Sequence, residues 1–334
     1  MLKHYPIRQL TLAISAAALF TGIVAPVQAE SNFVASVRIG ATYEDRADND
    51  GEVFLRNFGS RLIWTGEKEV KEGLTGIARL EFGVNPDSTS RGSSGADRTR
   101  QLWAGLQGDF GTVKIGAQYA AFYDMVQGNT DIAWWGSCWT QFECAREPRV
   151  LKYSGSNDDG LSYSASIQGS SDADDDVEIF DELEGGVNFA VGDLTVGGAI
   201  AIHADNQNND GGVMLGGVVK GDFGPATAAV TLQIADEDFA NTPEEQDDGS
   251  FIDPITDTFV NLTFAGTYED FYLVANLGSS QNEAEETINP FFATLGYTLS
   301  LGEGALMYFE AQAIDGDNGG DTDFIGRATY KLDI

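Results

Sequence analysis

The sequence predicts an all-β chain that closes into a transmembrane antiparallel β-barrel of about sixteen strands. Three observations carry that expectation. Runs of about ten residues alternate apolar and polar side chains, and the links between them are short and long by turns. The strand count is also even. Beyond Ala29 no stretch nears the roughly 18 continuous apolar residues of a membrane helix, so a bilayer could be crossed only by strands.

The chain begins with a leader-like segment. Lys3 and Arg8 form a basic region, Leu10–Ala25 an apolar one, and Val27-Gln28-Ala29 fits the small-x-small cleavage rule. We read residues 1–29 as a signal peptide cleaved before Glu30, and 30–334 as one barrel domain. Cleavage leaves 334 − 29 = 305 residues, with net charge −33 − 2 = −35, because the leader holds two bases and no acid.

The clearest strand pair is Arg98–Val126, RTRQLWAGLQGDFGTVKIGAQYAAFYDMV. Leu102, Ala104 and Leu106 share one face, with Gln101, Trp103 and Gln107 on the other. After Gly108-Asp109-Phe110-Gly111, Val113, Ile115 and Ala117 alternate with Thr112, Lys114 and Gln118. Period-two alternation about a Gly/Asp turn predicts a hairpin. It feeds a long aromatic loop holding Trp134, Trp135 and Trp139.

The same pattern places strands near 33–43, 53–65, 73–84, 99–108, 111–118, 149–155, 160–169 and 182–191. It continues at 193–203, 212–221, 224–235, 256–267, 270–279, 288–299, 304–313 and 322–332. Short turns at one rim face long polar loops at the other (44–52, 85–98, 119–148, 170–181, 204–211, 236–255, 280–287 and 314–321), a sorting typical of membrane barrels. In 288–299, Phe291, Ala293, Leu295, Tyr297 and Leu299 oppose Thr294, Gly296 and Thr298. In 304–313, Met307, Phe309, Ala311 and Ala313 oppose Tyr308, Glu310 and Gln312. An apolar outside and a polar inside suit a barrel whose lumen is wet, as sixteen strands require.

Composition narrows the function. The strongly acidic balance offers no clustered basic face for nucleic acid. Acids crowd two long loops: Asp172, Asp174, Asp175, Asp176, Glu178 and Asp181, then Asp236, Glu237, Asp238, Glu244, Glu245, Asp247, Asp248 and Asp253. They read as a solvated surface, or as sites where divalent cations bridge to anionic lipopolysaccharide. A calcium loop starting at Asp315 fails, since its twelfth position is Gly326 and not Glu. Cys138 and Cys144, six apart in one loop, are expected to form a local disulfide in an oxidising compartment.

In order along the chain, three stretches resemble the Gram-negative general diffusion porins: Ser60–Glu81 (SRLIWTGEKEVKEGLTGIARLE), Arg98–Val126, and Arg146–Tyr153 followed by Asp159-Gly160-Leu161. The resemblance implies a homotrimeric, passive channel of the outer membrane for small hydrophilic solutes and ions. It also implies a third extracellular loop folded inward against a ladder of basic side chains. By position Arg38, Arg61, Arg100 and Arg146 match that ladder, with Arg149 a second candidate for the last and Arg79 a possible extension. Asp131 matches the acidic residue of the loop. The next expected acid falls at Trp135, and Glu143 is a candidate replacement. The extra pair Cys138 and Cys144, and the non-aromatic terminal residue Ile334, depart from the family.

The resemblance implies no covalent step and no cofactor. An outer-membrane hydrolase would need a histidine beside a nucleophile. Of the two present, His4 leaves with the leader and His203 stands in no motif. A substrate-selective channel, with Trp134, Trp135 and Trp139 stacking against solutes, is the alternative. The trimer is expected to form through the first and last strands, where Phe33, Ala35, Val37 and Ile39 are apolar.

Overall fold

A computed structural model describes residues 30–46, 49–84, 96–138, 141–142, 144–169, 180–206, 209–240, 257–281, 287–315 and 322–334. The expected signal peptide, most of both acidic loops, Trp139 and Glu143 lie outside the described residues.

The strand segments are β1 (Glu30–Arg46), β2 (Asn49–Asn57), β3 (Arg61–Lys71), β4 (Leu74–Val84), β5 (Ala96–Gly108) and β6 (Gly111–Gln118). They continue as β7 (Glu147–Ser156), β8 (Leu161–Gly169), β9 (Phe180–Val191), β10 (Leu194–Asn206), β11 (Asn209–Phe223) and β12 (Ala226–Ala235). The last are β13 (Phe259–Tyr268), β14 (Phe271–Gln281), β15 (Thr287–Ile288), β16 (Phe291–Gly302), β17 (Ala305–Asp315) and β18 (Asp323–Asp333). All pair antiparallel with their neighbours, and β1 pairs with β18, with Val37 opposite Leu332. Ile334 exchanges both backbone hydrogen bonds with Ala35 (2.7 and 3.0 Å), so the terminal residue is locked into the seam although it is not aromatic.

Eighteen segments make sixteen staves. β1 pairs with β3 through its first half and with β2 through its second, so β2 and β3 are one stave broken at residues 58–60. β15 and β16 likewise both follow β14 along one stave. Closure leaves no sheet edge unpaired, the condition for a sheet in hydrocarbon. Among the described residues no helix is long and apolar enough to cross a membrane.

Each expected strand has a counterpart with its ends shifted by up to a few residues, though 53–65 is interrupted at residues 58–60 and 288–299 at residues 289–290. Two of the expected long loops are corrected: β1 runs to Arg46 and β2 starts at Asn49, while β10 runs to Asn206 and β11 starts at Asn209. Polar residues alternate into these strands as readily as into a loop, so composition alone misplaces their ends. The faces follow the pleat. Leu295 is 56% exposed outside while Thr294 is 0% exposed inside. Leu102, Ile115 and Phe309 also point out, whereas Tyr308, Glu310 and Gln312 are buried inside.

Candidate pore-constriction site

Four expected arginines reach the inner wall by ordinary strand phase or from a loop. Arg38 shares its face with buried Ser36 and Thr42, while Val37 and Ile39 occupy the other face. Arg79 lies two residues before Glu81 on β4, and Arg146 immediately precedes β7. Arg61 opens β3 just after the break in its stave. There Gly59 takes a positive φ of 79°, and Asn57 Oδ1 accepts the Ser60 N–H at 2.9 Å. The break turns Phe58 inward, where it meets the Trp135 ring edge-on at 6.0 Å. Arg100 is different. Strict alternation puts it on the outer face with Leu102. The β4–β5 register, however, pairs Glu81 with Gln101 and Phe82 with Thr99, skipping Arg100. A bulge of this kind re-aims a side chain, and Arg100 points in.

One carboxylate gathers these cations. Glu81, 1% exposed, accepts from Arg61 Nη1 (2.9 Å), Arg79 Nη2 (2.6 Å) and Arg100 Nε (2.9 Å). A buried carboxylate is tolerable only with such partners. Three guanidiniums on one anion leave the group at a net +2. Sequence reasoning passed over Glu81, whose inward phase on β4 beside Arg79 was the available signal.

The loop after β6 meets the arginines of this wall through two of its aromatic groups. Tyr119 stacks on Tyr123 (centroids 3.7 Å apart), and the Arg146 guanidinium lies over Tyr119 at 4.4 Å. The Tyr123 hydroxyl donates to Asp131 Oδ2 at 2.7 Å. Burial, and next the charge of Asp131, push that hydroxyl well above the ordinary tyrosine range, so it stays protonated and donates. Further on, Trp134 stacks on Tyr308 at 4.7 Å, with Arg38 5.2 Å and Lys331 5.3 Å from its ring centre.

Side chains of the wall hold the loop. Across a short helix, Ala121–Met125, Ser166 Oγ accepts the Ala121 N–H (2.8 Å) and Glu184 Oε2 accepts that of Phe122 (2.6 Å). Lys152 Nζ donates to Asp124 Oδ2 at 2.5 Å and to the Tyr119 carbonyl at 2.6 Å. At the far end Glu310 Oε1 accepts from the Trp134 N–H (2.9 Å), the Trp135 N–H (3.3 Å) and the Tyr272 hydroxyl (2.9 Å). Gln312 Nε2 donates to the Trp135 carbonyl at 2.8 Å. The returning limb is held by Gln141 on Asn276 (3.0 Å) and by Gln233 on the Phe142 carbonyl (3.2 Å). The structure joins Cys138 to Cys144, with their Cα atoms 6.0 Å apart, and brings Asp131 Oδ within 4.8 Å of both sulfurs.

Apolar contacts complete the docking. Phe122, Met125, Val126 and Phe142 of the loop form one buried cluster with Ala201, Met214, Ala235, Phe259 and Ile288 of β10–β15. A Cβ on Gly216 of β11 would stand 2.4 Å from the Phe122 ring, so glycine is required where that ring meets the wall. Phe239 joins the cluster from a second short helix, Glu237–Ala240, and stacks on His203 at 4.0 Å. This part of the acidic loop packs inward, and only its charges had been read.

Among the described candidates, Arg149 alone is placed elsewhere. It has a φ of 58°, is exposed in phase with outward-facing Leu151, donates to the Gly169 carbonyl (2.7 Å) and pairs with Asp181 (3.5 Å).

A closed sixteen-stave antiparallel barrel, apolar outside and polar inside, defines a membrane β-barrel protein. The sequence profile of the Gram-negative porin family matches residues 13–320, and the chain belongs to that family. It is a multi-pass β-barrel of the Gram-negative outer membrane; the family and fold are those of channels, not enzymes. The chain is 30% identical over 188 residues to the outer membrane porin protein NmpC of Escherichia coli K12, covering 50% of each sequence. It thus spans about half the length of the curated relatives it matches. In fold it is similar to an anion-selective porin from Comamonas acidovorans: TM-score 0.69, 14% identity, 92% of this chain and 100% of that one. It is likewise similar to OmpF of Salmonella typhi, solved with daunomycin: TM-score 0.70, 17% identity, 90% of this chain and 97% of that one.

Proposed function

We propose that the protein is a passive diffusion channel for small hydrophilic solutes and ions, narrowed between the docked loop and the arginine wall. The observation that carries this reading is the circuit of side chains between the two. Arg146 meets the loop at Tyr119, Tyr123 links to Asp131, and Trp134 returns to Arg38. Inside it, among the described residues, Arg61, Arg79 and Arg100 share the single carboxylate Glu81. Cationic wall and acidic loop set a transverse field on any ion that passes.

The chain works as a homotrimer packed on the seam, where Phe33 and Ile39 of β1 point outward and are exposed. At the cell surface the acidic loops contact lipopolysaccharide through divalent cations. The aromatic-selectivity reading is weaker, because Trp134 already carries Tyr308, Arg38 and Lys331 on its ring. Purified protein in a planar bilayer tests the proposal. Stepwise, ohmic conductance in potassium chloride supports it, and absence of conductance from folded protein refutes it.

A further inference from the structure

Below the arginine cluster, towards the short-turn rim, β4–β7 carry a second group of cations. Arg79 stands opposite Trp103 in the β4–β5 register. Lys114 stands opposite Gly105 on one side and directly opposite Lys152 on the other. Two lysines facing each other across a ladder repel, and such pairs destabilise a sheet unless something offsets them. Lys152 is offset, since it holds Asp124 at 2.5 Å. Lys114 is not. Among the described residues it makes no ion pair, and the carboxylate of Asp124 is held by Lys152.

What Lys114 has instead is Trp103. Its ammonium lies 4.4 Å from the centre of the indole ring. The indole N–H is already donated to Gln101 Oε1 at 3.0 Å, which fixes the ring on the inner face. A cation over an aromatic face is held in place without being neutralised. Arg79 adds a guanidinium whose own carboxylate, Glu81, is shared with two other arginines. The arrangement is a fixed, under-neutralised pair of cations beside a half-buried aromatic ring, on a wall that faces the lumen.

Building on the channel reading, we propose that Lys114, Arg79 and Trp103 form a second anion station, on the short-turn side of the constriction. It takes a small carboxylate carried on a flat apolar body. The carboxylate meets the ammonium and guanidinium, and the flat body lies along the indole. No bond is made or broken. A permeating organic anion therefore pauses twice, first at Arg61 and Arg100 and then here, with Arg79 between the two, while chloride passes the second station quickly because it has nothing to lay on the ring.

The test uses the whole protein in planar bilayers, with wild-type conductance in potassium chloride measured first. Benzoate is then added, from each side in turn. The expected result is a voltage-dependent partial block that Lys114→Gln weakens several-fold and Lys114→Arg largely keeps. Trp103→Leu should weaken block by benzoate more than block by acetate. Arg149→Gln, outside the station, should leave the block unchanged. If wild type conducts but benzoate does not block it, or blocks Lys114→Gln equally well, the station is overturned while the channel reading stands. If folded wild type does not conduct at all, both fall. Should Lys114→Gln fail to form the heat-modifiable barrel, the comparison of Lys114→Arg and Trp103→Leu decides: block retained in both to the same degree overturns the station.

Discussion

Along β3–β7 and at its two margins, the inner wall carries seven cations (Arg38, Arg61, Arg79, Arg100, Lys114, Arg146 and Lys152), four of which pair with Glu81 of the wall or Asp124 of the loop. Along β10–β15 the same barrel presents Ala201, Met214, Ala235, Phe259 and Ile288, all covered by the loop's Phe122, Met125, Val126 and Phe142. Both walls belong to one alternating sheet, and the pleat does not distinguish them. The difference lies in what each can do with a loop laid against it. Apolar side chains hold it by excluding water, at roughly 25 cal/mol per Å² buried. Cations in excess cannot be sealed off, because unpaired charge removed from water is costly. On the proposed channel reading, the loop therefore closes one side of the lumen, and the other side is left to water and ions.

The comparison can be broken first on its apolar side. Phe122→Ala removes a fully buried ring from the loop–wall contact, at about 3–5 kcal/mol. Because closure rests on the backbone ladder, we expect a folded barrel with larger, unsteady single-channel currents. A steady wild-type current would show that the loop is held without the cluster. Next is Glu81→Gln. Losing a buried partner of ion pairs costs about 3–5 kcal/mol. Here arginines 14–28% exposed can rehydrate, so roughly 2 kcal/mol is expected, as a lowered thermal midpoint with a shift towards anions.

A smaller effect is expected when Arg61 and Arg100 are both replaced by Ser. Conductance should rise and the reversal potential in a salt gradient should move towards cations; an unmoved potential would place the narrowing elsewhere. Smaller again is the change from Cys138→Ser with Cys144→Ser. A bridge across six residues constrains the unfolded loop by about 2 kcal/mol. The double variant should fold normally and show more current fluctuation, whereas loss of the barrel would give the disulfide a role in the fold. Arg149→Gln should leave selectivity unchanged, since that side chain turns to Asp181.

The strands were legible because side-chain phase is a local property: each run of about ten residues states its own faces. Arg38, Arg61, Arg79 and Arg146 could be found by phase or by resemblance to the family. Arg100 was found only by resemblance, because its inward aim comes from a bulge in the register with β4, which no single strand encodes. Glu81, Glu184, Glu310 and Lys152, which hold the arginines or the loop, are not singled out by the sequence. Two of them act through partners far along the chain: Glu310 meets Trp134, 176 residues away, and Glu184 meets Phe122, 62 away. Phe239 was hidden inside an acidic run whose charges dominated its reading, although an aromatic among acids was a signal in itself.

The central claim is that ions pass along the charged wall and not through the apolar one. Thiol labelling tests it in protein lacking both native cysteines, with a single cysteine placed by Arg61→Cys on one wall or Met214→Cys on the other. A charged, water-soluble methanethiosulfonate reagent added to open channels should react at position 61 and change the current, and should leave position 214, 0% exposed, unmodified. Rapid reaction and block at 214, with none at 61, would contradict the account.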